Sequence, residues 1–306
     1  MSNKSYIYLG LLGAGVICLF LAPILLSEAQ IMIATEILYF SLFAVSFNLL
    51  FGYGGLLPFG HGGLFGVGAY ATALILSHFT GFNVLLCVIL SGAVAFVGGG
   101  FIGFFALRLK GTFFALMTFA FQMFLFALAF KWRPLTGGED GIGVLRPDLH
   151  LPLFGDISLA SGGEFYIFAL IVILAALALC YWLLHTPFGN TITCIKVNEE
   201  RATFLGYRTY LSQLILFCFA SFMAGIAGSI YTLASEYVSL EAVNVDMSFT
   251  AIMITFIGGS GAFLGPALGA GFYVIFQDWL SNLTDRWLLF MGVLFVLMVL
   301  YMDGGL

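Results

Sequence analysis

Charge is what this sequence has least of. Only 8% of its 306 residues are Asp, Glu, Lys or Arg, 15 acidic against 10 basic, while 62% are hydrophobic. A soluble domain carries about 25% charged residues, and a mean hydropathy of +1.11 leaves too little polar surface to face water all round. The composition excludes an ordinary soluble enzyme and points to an all-α polytopic membrane protein. The few Lys and Arg stand at the ends of apolar runs and form no basic patch, which excludes nucleic acid as a partner. Cysteine is also scarce, with five in the chain. Cys18, Cys87, Cys180 and Cys218 fall inside apolar runs and Cys194 in a polar stretch, a pattern of small buried hydrophobes and not of a disulfide framework. No H-E-x-x-H, G-x-S-x-G or G-x-x-x-x-G-K-[ST] motif is present, so no catalytic residues are expected. The segment TGGEDGIG at 136–143 fails the spacing of a calcium loop, and neither a metal nor a cofactor is expected.

What is there is a succession of apolar runs. A hydrocarbon core of about 30 Å needs about 20 apolar residues per helix. On that ruler about ten spans are expected, at 6–26, 31–51, 59–79, 84–107, 113–130, 165–184, 211–234, 248–257, 264–280 and 287–301. The first run is too long for a signal peptide and lacks a small-x-small cleavage site. The eighth is short, as a broken or re-entrant helix would be. The expectation is a single transmembrane domain over 1–306, with an outer loop at 131–164 and a cytoplasmic loop at 185–210. Lys and Arg orient it. With the loop at 185–210 in the cytoplasm, Lys4, Arg108, Lys110, Lys196, Arg201 and Arg208 lie inside. Lys131, Arg133, Arg146 and Arg286 then lie outside with most of the acids, among them Glu236, Glu241 and Asp246, and both termini are cytoplasmic.

Small residues recur at i, i+4, as in Gly62 and Gly66, Gly99 and Gly103, Ser221 and Gly225, and Gly261, Gly265 and Gly269. That spacing lets membrane helices approach closely. In two places glycine meets proline, GGLLPFGHGG at 54–63 and GGSGAFLGPALG at 258–269. Each is expected to interrupt a helix near the middle of the membrane, and such breaks in two halves of a transporter point to a substrate path. Pro58, Gly60, His61, Gly265 and Pro266 are therefore candidate path residues, with Asn48 and Gln122. For each a packing reading stands beside it: His61 as a hydrogen-bonding group at a helix start, Asn48 and Gln122 as interhelical glue. Glu36 lies early in its run, where a carboxylate still reaches the interface; placed deeper it would cost about 2.5–3.5 kcal/mol and mark a functional site. Coupling acids of the kind a secondary transporter uses are nearly absent from the spans, so energy, if used, must come from a partner.

The longest polar interruption runs from Thr186 to Tyr210, TPFGNTITCIKVNEERATFLGYRTY. Thr186 is a plausible N-cap with Pro187 at the first helical position. Asn198 then caps a second helix with Glu199 and Glu200 in its first turn, and Gly206 is placed to end it in the left-handed conformation. Roughly two turns result, too short to stand alone. Ala202 and Leu205 give it a small apolar stripe with which to lie on a surface, either the protein's own membrane face, lipid headgroups or a partner.

Four segments together resemble the branched-chain amino acid ABC transporter permeases of bacterial inner membranes, specifically the member of the permease pair with the longer outer loop. They are NLLFGYGGLLPFGHGGLFGVGAY at 48–70, TGGEDGI at 136–142, PFGNTITCIKVNEERATFLG at 187–206 continuing into AGIAGSIY at 224–231, and IGGSGAFLGPALG at 257–269. Pro58 and Phe59 depart from the small polar residues more usual before the Gly-His. The resemblance implies an importer of branched-chain or other apolar amino acids in which a periplasmic binding protein delivers substrate, two similar permeases form the pathway by alternating access, and two ATPases drive it. It also implies that Asn198, Glu199, Glu200, Arg201, Ala202, Leu205 and Gly206 form the helix that contacts the ATPase. A urea or short-amide importer is the alternative within the class, and an ATP-independent channel or facilitator the alternative outside it.

Overall fold

The computed structural model describes residues 19–301 apart from 80, 152–154 and 285, so most of the first apolar run lies outside the described residues. Every later run falls on a helix. In chain order these are α1 (Glu28–Asn48), α2 (His61–His78), α3 (Val84–Ala106), α4 (Thr112–Lys131), the single turn α5 (Arg133–Thr136), α6 (Gly162–Leu184), α7 (Pro187–Val197), α8 (Glu199–Phe204), α9 (Thr209–Ser235), α10 (Val245–Gly258), α11 (Gly265–Leu283) and α12 (Trp287–Tyr301). Among the described residues, five helices are long and apolar enough to cross a membrane: α1 with its extension to Tyr53, α3, α4, α6 and α9. α2, α10, α11 and α12 supply the remaining expected runs as shorter or more polar helices. The fold is all-α and polytopic. Two small antiparallel pairings decorate one end, β1 (Ile142–Gly143) with β4 (Tyr237–Val238), and β2 (Leu149–Leu151) with β3 (Gly155–Ile157).

Packing centres on α9, which lies against α2 and α3. The approach depends on missing side chains: a methyl group on Gly68 would strike the backbone of Gly225, so α2 and α9 touch backbone to backbone. Hydroxyls add directional bonds where lipid-soluble surfaces offer none. Thr72 on α2 lies 2.8 Å from Ser91 Oγ on α3 and 2.7 Å from Ser229 Oγ on α9. Thr232 donates to the Ala69 carbonyl at 3.1 Å. The outer flanks of α3, α4 and α6 keep Phe101, Phe113, Phe124 and Trp182 exposed, as a lipid-facing surface requires.

Polar connections sort into two ends. At one, Lys110 between α3 and α4 pairs with Glu199 at 2.8 Å, and Tyr210 Oη donates to the Phe104 carbonyl at 2.8 Å. At the other, Arg146 pairs with Glu236 at 3.1 Å, and Tyr237 Oη donates to the Asp140 carbonyl at 2.7 Å. The Lys110 end and the Arg146 end are the two poles of the bundle. The residues grouped on each are those the charge bias assigned to opposite sides.

Candidate functional site

At the Lys110 end the polar stretch folds as two short helices in series. α7 opens with Pro187 at its first turn, but Thr186 makes no side-chain cap; its hydroxyl donates instead to the Leu183 carbonyl at 2.6 Å, closing the end of α6. α8 is capped as its sequence predicts. Asn198 has extended backbone, and its side-chain oxygen accepts from the Arg201 N–H at 2.9 Å. Glu199 and Glu200 occupy the first turn, and Gly206 has a φ of +89°, a left-handed conformation that a Cβ would strain. The expected stripe of Ala202 and Leu205 is not formed. Ala202 is 3% exposed and packs into the protein, while Leu205, in the turn that ends the helix, is 78% exposed. Phe204 at 90% and Val197 at 81% are exposed with it. α7 buries Ile192 and Ile195 and α8 buries Ala202, while the large apolar residues that flank α8 face outward.

Lys196, in the last turn of α7, links this segment to the first glycine-proline break. α1 does not stop at Asn48 but passes into a π-helical turn, Leu49–Tyr53. The amides of Gly54, Gly55 and Leu56 bond back to Leu49, Phe51 and Leu50, which leaves the Gly52 carbonyl to the Lys196 ammonium. A positive group there meets the negative end of a helix dipole. The same Lys stem covers Gly55, whose φ is +68°. A cavity of about 450 Å³ lies between the break, the 107–111 turn and the 195–200 junction.

The two breaks meet. α10 and α11 form an antiparallel hairpin whose turn, 259–264, contains Gly259 at a φ of +84°. Gly258 and Gly265 face each other so closely that a methyl on either would strike the other's backbone. Asn48 Nδ2 donates across to Ala262 O in that turn at 3.3 Å, Ser41 Oγ reaches Ala267 O at 3.3 Å, and Thr255 Oγ1 reaches Ala44 O at 3.3 Å. Pro266 sits in the first turn of α11, as Pro tolerates. Gly261, by contrast, has nothing within 4 Å of where a Cβ would stand, so the expected packing of all three glycines at 261, 265 and 269 holds only for the last two.

The first break re-enters the bundle before α2 begins. Gly60 abuts the Thr118 backbone, six residues into α4 and so about 9 Å along it at 1.5 Å per residue. His61 is buried, stacks on Phe43 with ring centroids 5.4 Å apart and lies 2.8 Å from Ser46 Oγ. Since the Ser46 hydroxyl donates to the Phe43 carbonyl at 2.6 Å, His61 must donate from Nε2, and its Nδ1 is left buried without a partner. Gln122 closes the adjacent layer. Its amide donates to the carbonyls of Val243 at 3.1 Å and Asn244 at 2.8 Å. Its oxygen accepts from Ser248 Oγ at 2.7 Å, and that oxygen accepts from the Gly62 N–H at 2.7 Å. Asn48, His61 and Gln122 are thus interior residues that tie α1, α2, α4 and the hairpin together. Pro58 and Gly60 are buried in the irregular segment that connects α1 to α2.

Sequence reasoning missed Lys196 and the 3-10 turn Leu240–Val243. Ala242 and Val243 in that turn are buried against α2 and α4, though Glu236, Glu241 and Asp246 around them read as an exposed loop. Among the described residues no group of three or more His, Cys, Asp or Glu is gathered as a metal site would gather them.

Comparison with known proteins agrees with this architecture. The family described as branched-chain amino acid transport system / permease component matches residues 30–302. The high-affinity branched-chain amino acid transport system permease protein LivM of Salmonella typhimurium is 27% identical over 303 residues, covering 93% of this chain and 71% of the relative. The probable LivM of Methanocaldococcus jannaschii is 27% identical over 286 residues, covering 83% and 80%. The autoinducer 2 import system permease LsrC of Shigella flexneri is 30% identical over a shorter 182 residues, covering 56% and 50%. No solved structure matches. With the family match running from the start of α1 to the end of α12, the chain belongs to the branched-chain amino acid transport system permease component family.

Proposed function

We propose that this chain is one of two similar permease subunits of an ABC importer of the bacterial inner membrane. Its cargo in this reading is branched-chain or other apolar amino acids, and it works by alternating access without bond chemistry of its own. Two cytoplasmic ATPases dock at the Lys110 end, a periplasmic binding protein delivers substrate at the Arg146 end, and lipid covers the flanks. The observation that carries the assignment of ends is the exposure of Val197, Phe204 and Leu205 on a capped segment. Large apolar side chains exposed on the polar end of a membrane protein fit a protein partner, as contiguous exposed apolar patches do. Asn198 and Gly206 fix the two ends of α8, Glu199 is held by Lys110, and Glu200 and Arg201 are exposed on the same helix. Ala202 anchors the helix to the bundle. In this reading the joined breaks, with Asn48, Pro58, Gly60, His61, Gln122, Gly265 and Pro266, form the hinge that opens and closes the path.

The test is replacement of Phe204 and Leu205 together by Ser. Both side chains are exposed, so the fold is retained. Loss of ATPase co-purification and of ATP-driven leucine uptake is expected. Undiminished assembly and uptake would place the docking surface elsewhere.

A further inference from the structure

The hinge and the docking segment leave one set of polar groups unused. At the Arg146 end, α1, α6, α9 and α11 enclose a cavity of about 400 Å³, a size that suits a small ligand. Glu36 on α1 and Asp278 on α11 both line it. Among the described residues neither carboxylate has an ion-pair partner. Glu36, half-buried on a membrane helix while Asp278 is exposed, is costly when unpaired and favours a positive group arriving from outside the chain. Tyr39 lines the same cavity at only 7% exposure, and its hydroxyl has no hydrogen bond among the described residues, its contacts being ring contacts with Phe40 and Tyr231. Arg146 lies on the same wall, held by the carbonyls of Leu233 and Ala234 at 2.7 Å. Its Nε also pairs with Glu236 at 3.1 Å, while Nη1 makes no hydrogen bond among the described residues. Most of the remaining wall is apolar, with Ile33 and Ala234 as examples.

We infer that this cavity is a receiving site for a zwitterionic amino acid with an apolar side chain. The ammonium is drawn to Glu36 and Asp278 with Tyr39 as a further acceptor, the carboxylate turns toward Arg146, and the side chain lies on the aliphatic wall. The inference rests on the importer reading above and adds to it a place in this chain that discriminates by charge.

The experiment uses the complete transporter, both permeases and both ATPases, in lipid nanodiscs without the binding protein. Equilibrium binding of radiolabelled leucine is measured against two competitors, leucinamide, which keeps the ammonium, and 4-methylpentanoate, which lacks it. Saturable binding displaced by leucinamide and not by 4-methylpentanoate is expected. Glu36→Gln and Asp278→Asn should each weaken it about tenfold, and Tyr39→Phe, which deletes a single oxygen, about threefold. Equal competition by 4-methylpentanoate, unchanged affinity in the carboxamide variants, or displacement by sodium ions would overturn the assignment, the last in favour of an inorganic cation. A wild-type transporter that imports leucine with its binding protein yet binds none without it would refute the site and leave the importer reading standing. Failure to import any apolar amino acid with every partner present would sink that reading itself.

Discussion

Replacing Lys196 by Met isolates the link between the proposed docking segment and the broken helix. Met keeps the unbranched stem that covers Gly55 and removes only the ammonium that satisfies Gly52 O. The amides that follow the π-turn bond to Leu49, Leu50 and Phe51, and among the described residues the Gly52 carbonyl has no other hydrogen bond. Lys196 is exposed, and water takes up part of the loss. A net hydrogen bond plus a helix-end charge at an exposed site contributes about 1 kcal/mol, which is about a fivefold change in a two-state equilibrium. α7 and α8 keep their caps, so the ATPases should still co-purify and hydrolyse ATP. What should fall, about fivefold, is the number of leucine molecules moved per ATP in reconstituted vesicles. An unchanged ratio would refute the transmission argument. So would a parallel loss of hydrolysis and uptake, because that pattern reports failed docking and not failed transmission.

Other outcomes follow from the same geometry. Gln122→Leu removes three hydrogen bonds in the layer joining α4, α10 and the Leu240–Val243 turn. At about 0.6 kcal/mol for an average interhelical bond in a membrane, and more where carbonyls are left buried, it should destabilise the bundle by about 2 kcal/mol. Unfolding in mixed micelles would measure this, and a stability equal to wild type would contradict the assigned bonds. The Lys110–Glu199 pair should be insensitive to pH across the physiological range. Its hydrogen bond and charge partner raise the Lys110 pKa above the ordinary 10.5. A group raised in the folded state contributes fully below its unfolded pKa and loses that contribution only as pH climbs through the folded one. Lys110→Gln should therefore lower docking affinity by the same small factor at pH 6 and pH 9, and the difference should shrink at high salt because the lysine is 74% exposed. A difference that changed between those pH values would disprove the pairing.

The local features of the docking segment were legible because capping is read over three or four residues. Asn198 before two acids and Gly206 after the last turn carry their geometry in their own chemistry. The helices themselves were legible for a similar reason, since apolar runs of membrane-spanning length leave little choice. Long-range partners were not. Lys196 and Gly52 are 144 residues apart, and one lysine near a span end looks like any other. The π-turn at Leu49–Tyr53 has an apolar sequence that suits an α-helix equally well. Leu205 misled because i, i+3 spacing predicts a shared face only while the helix continues, and α8 ends at Phe204. The acids at Glu236, Glu241 and Asp246 drew attention from Ala242 and Val243, which turn inward while their charged neighbours do not.

The π-turn has a consequence for chain length. A single π-helical turn holds one residue more than the α-helical phase accommodates, so α1 carries what amounts to an insertion between Asn48 and the first break. Deleting one residue from 49–53 would let the helix regularise with everything beyond it held in nearly the same phase, because a π-helical turn takes up about one residue more than an α-helical one. Closing the widened turn would give its spare carbonyl an α-helical amide in place of the Lys196 ammonium, whereas Asn48, upstream of the change, would keep its reach to the hairpin. A one-residue length difference at this point would thus cut the Lys196 link between the broken helix and the proposed docking segment while leaving the two breaks clasped.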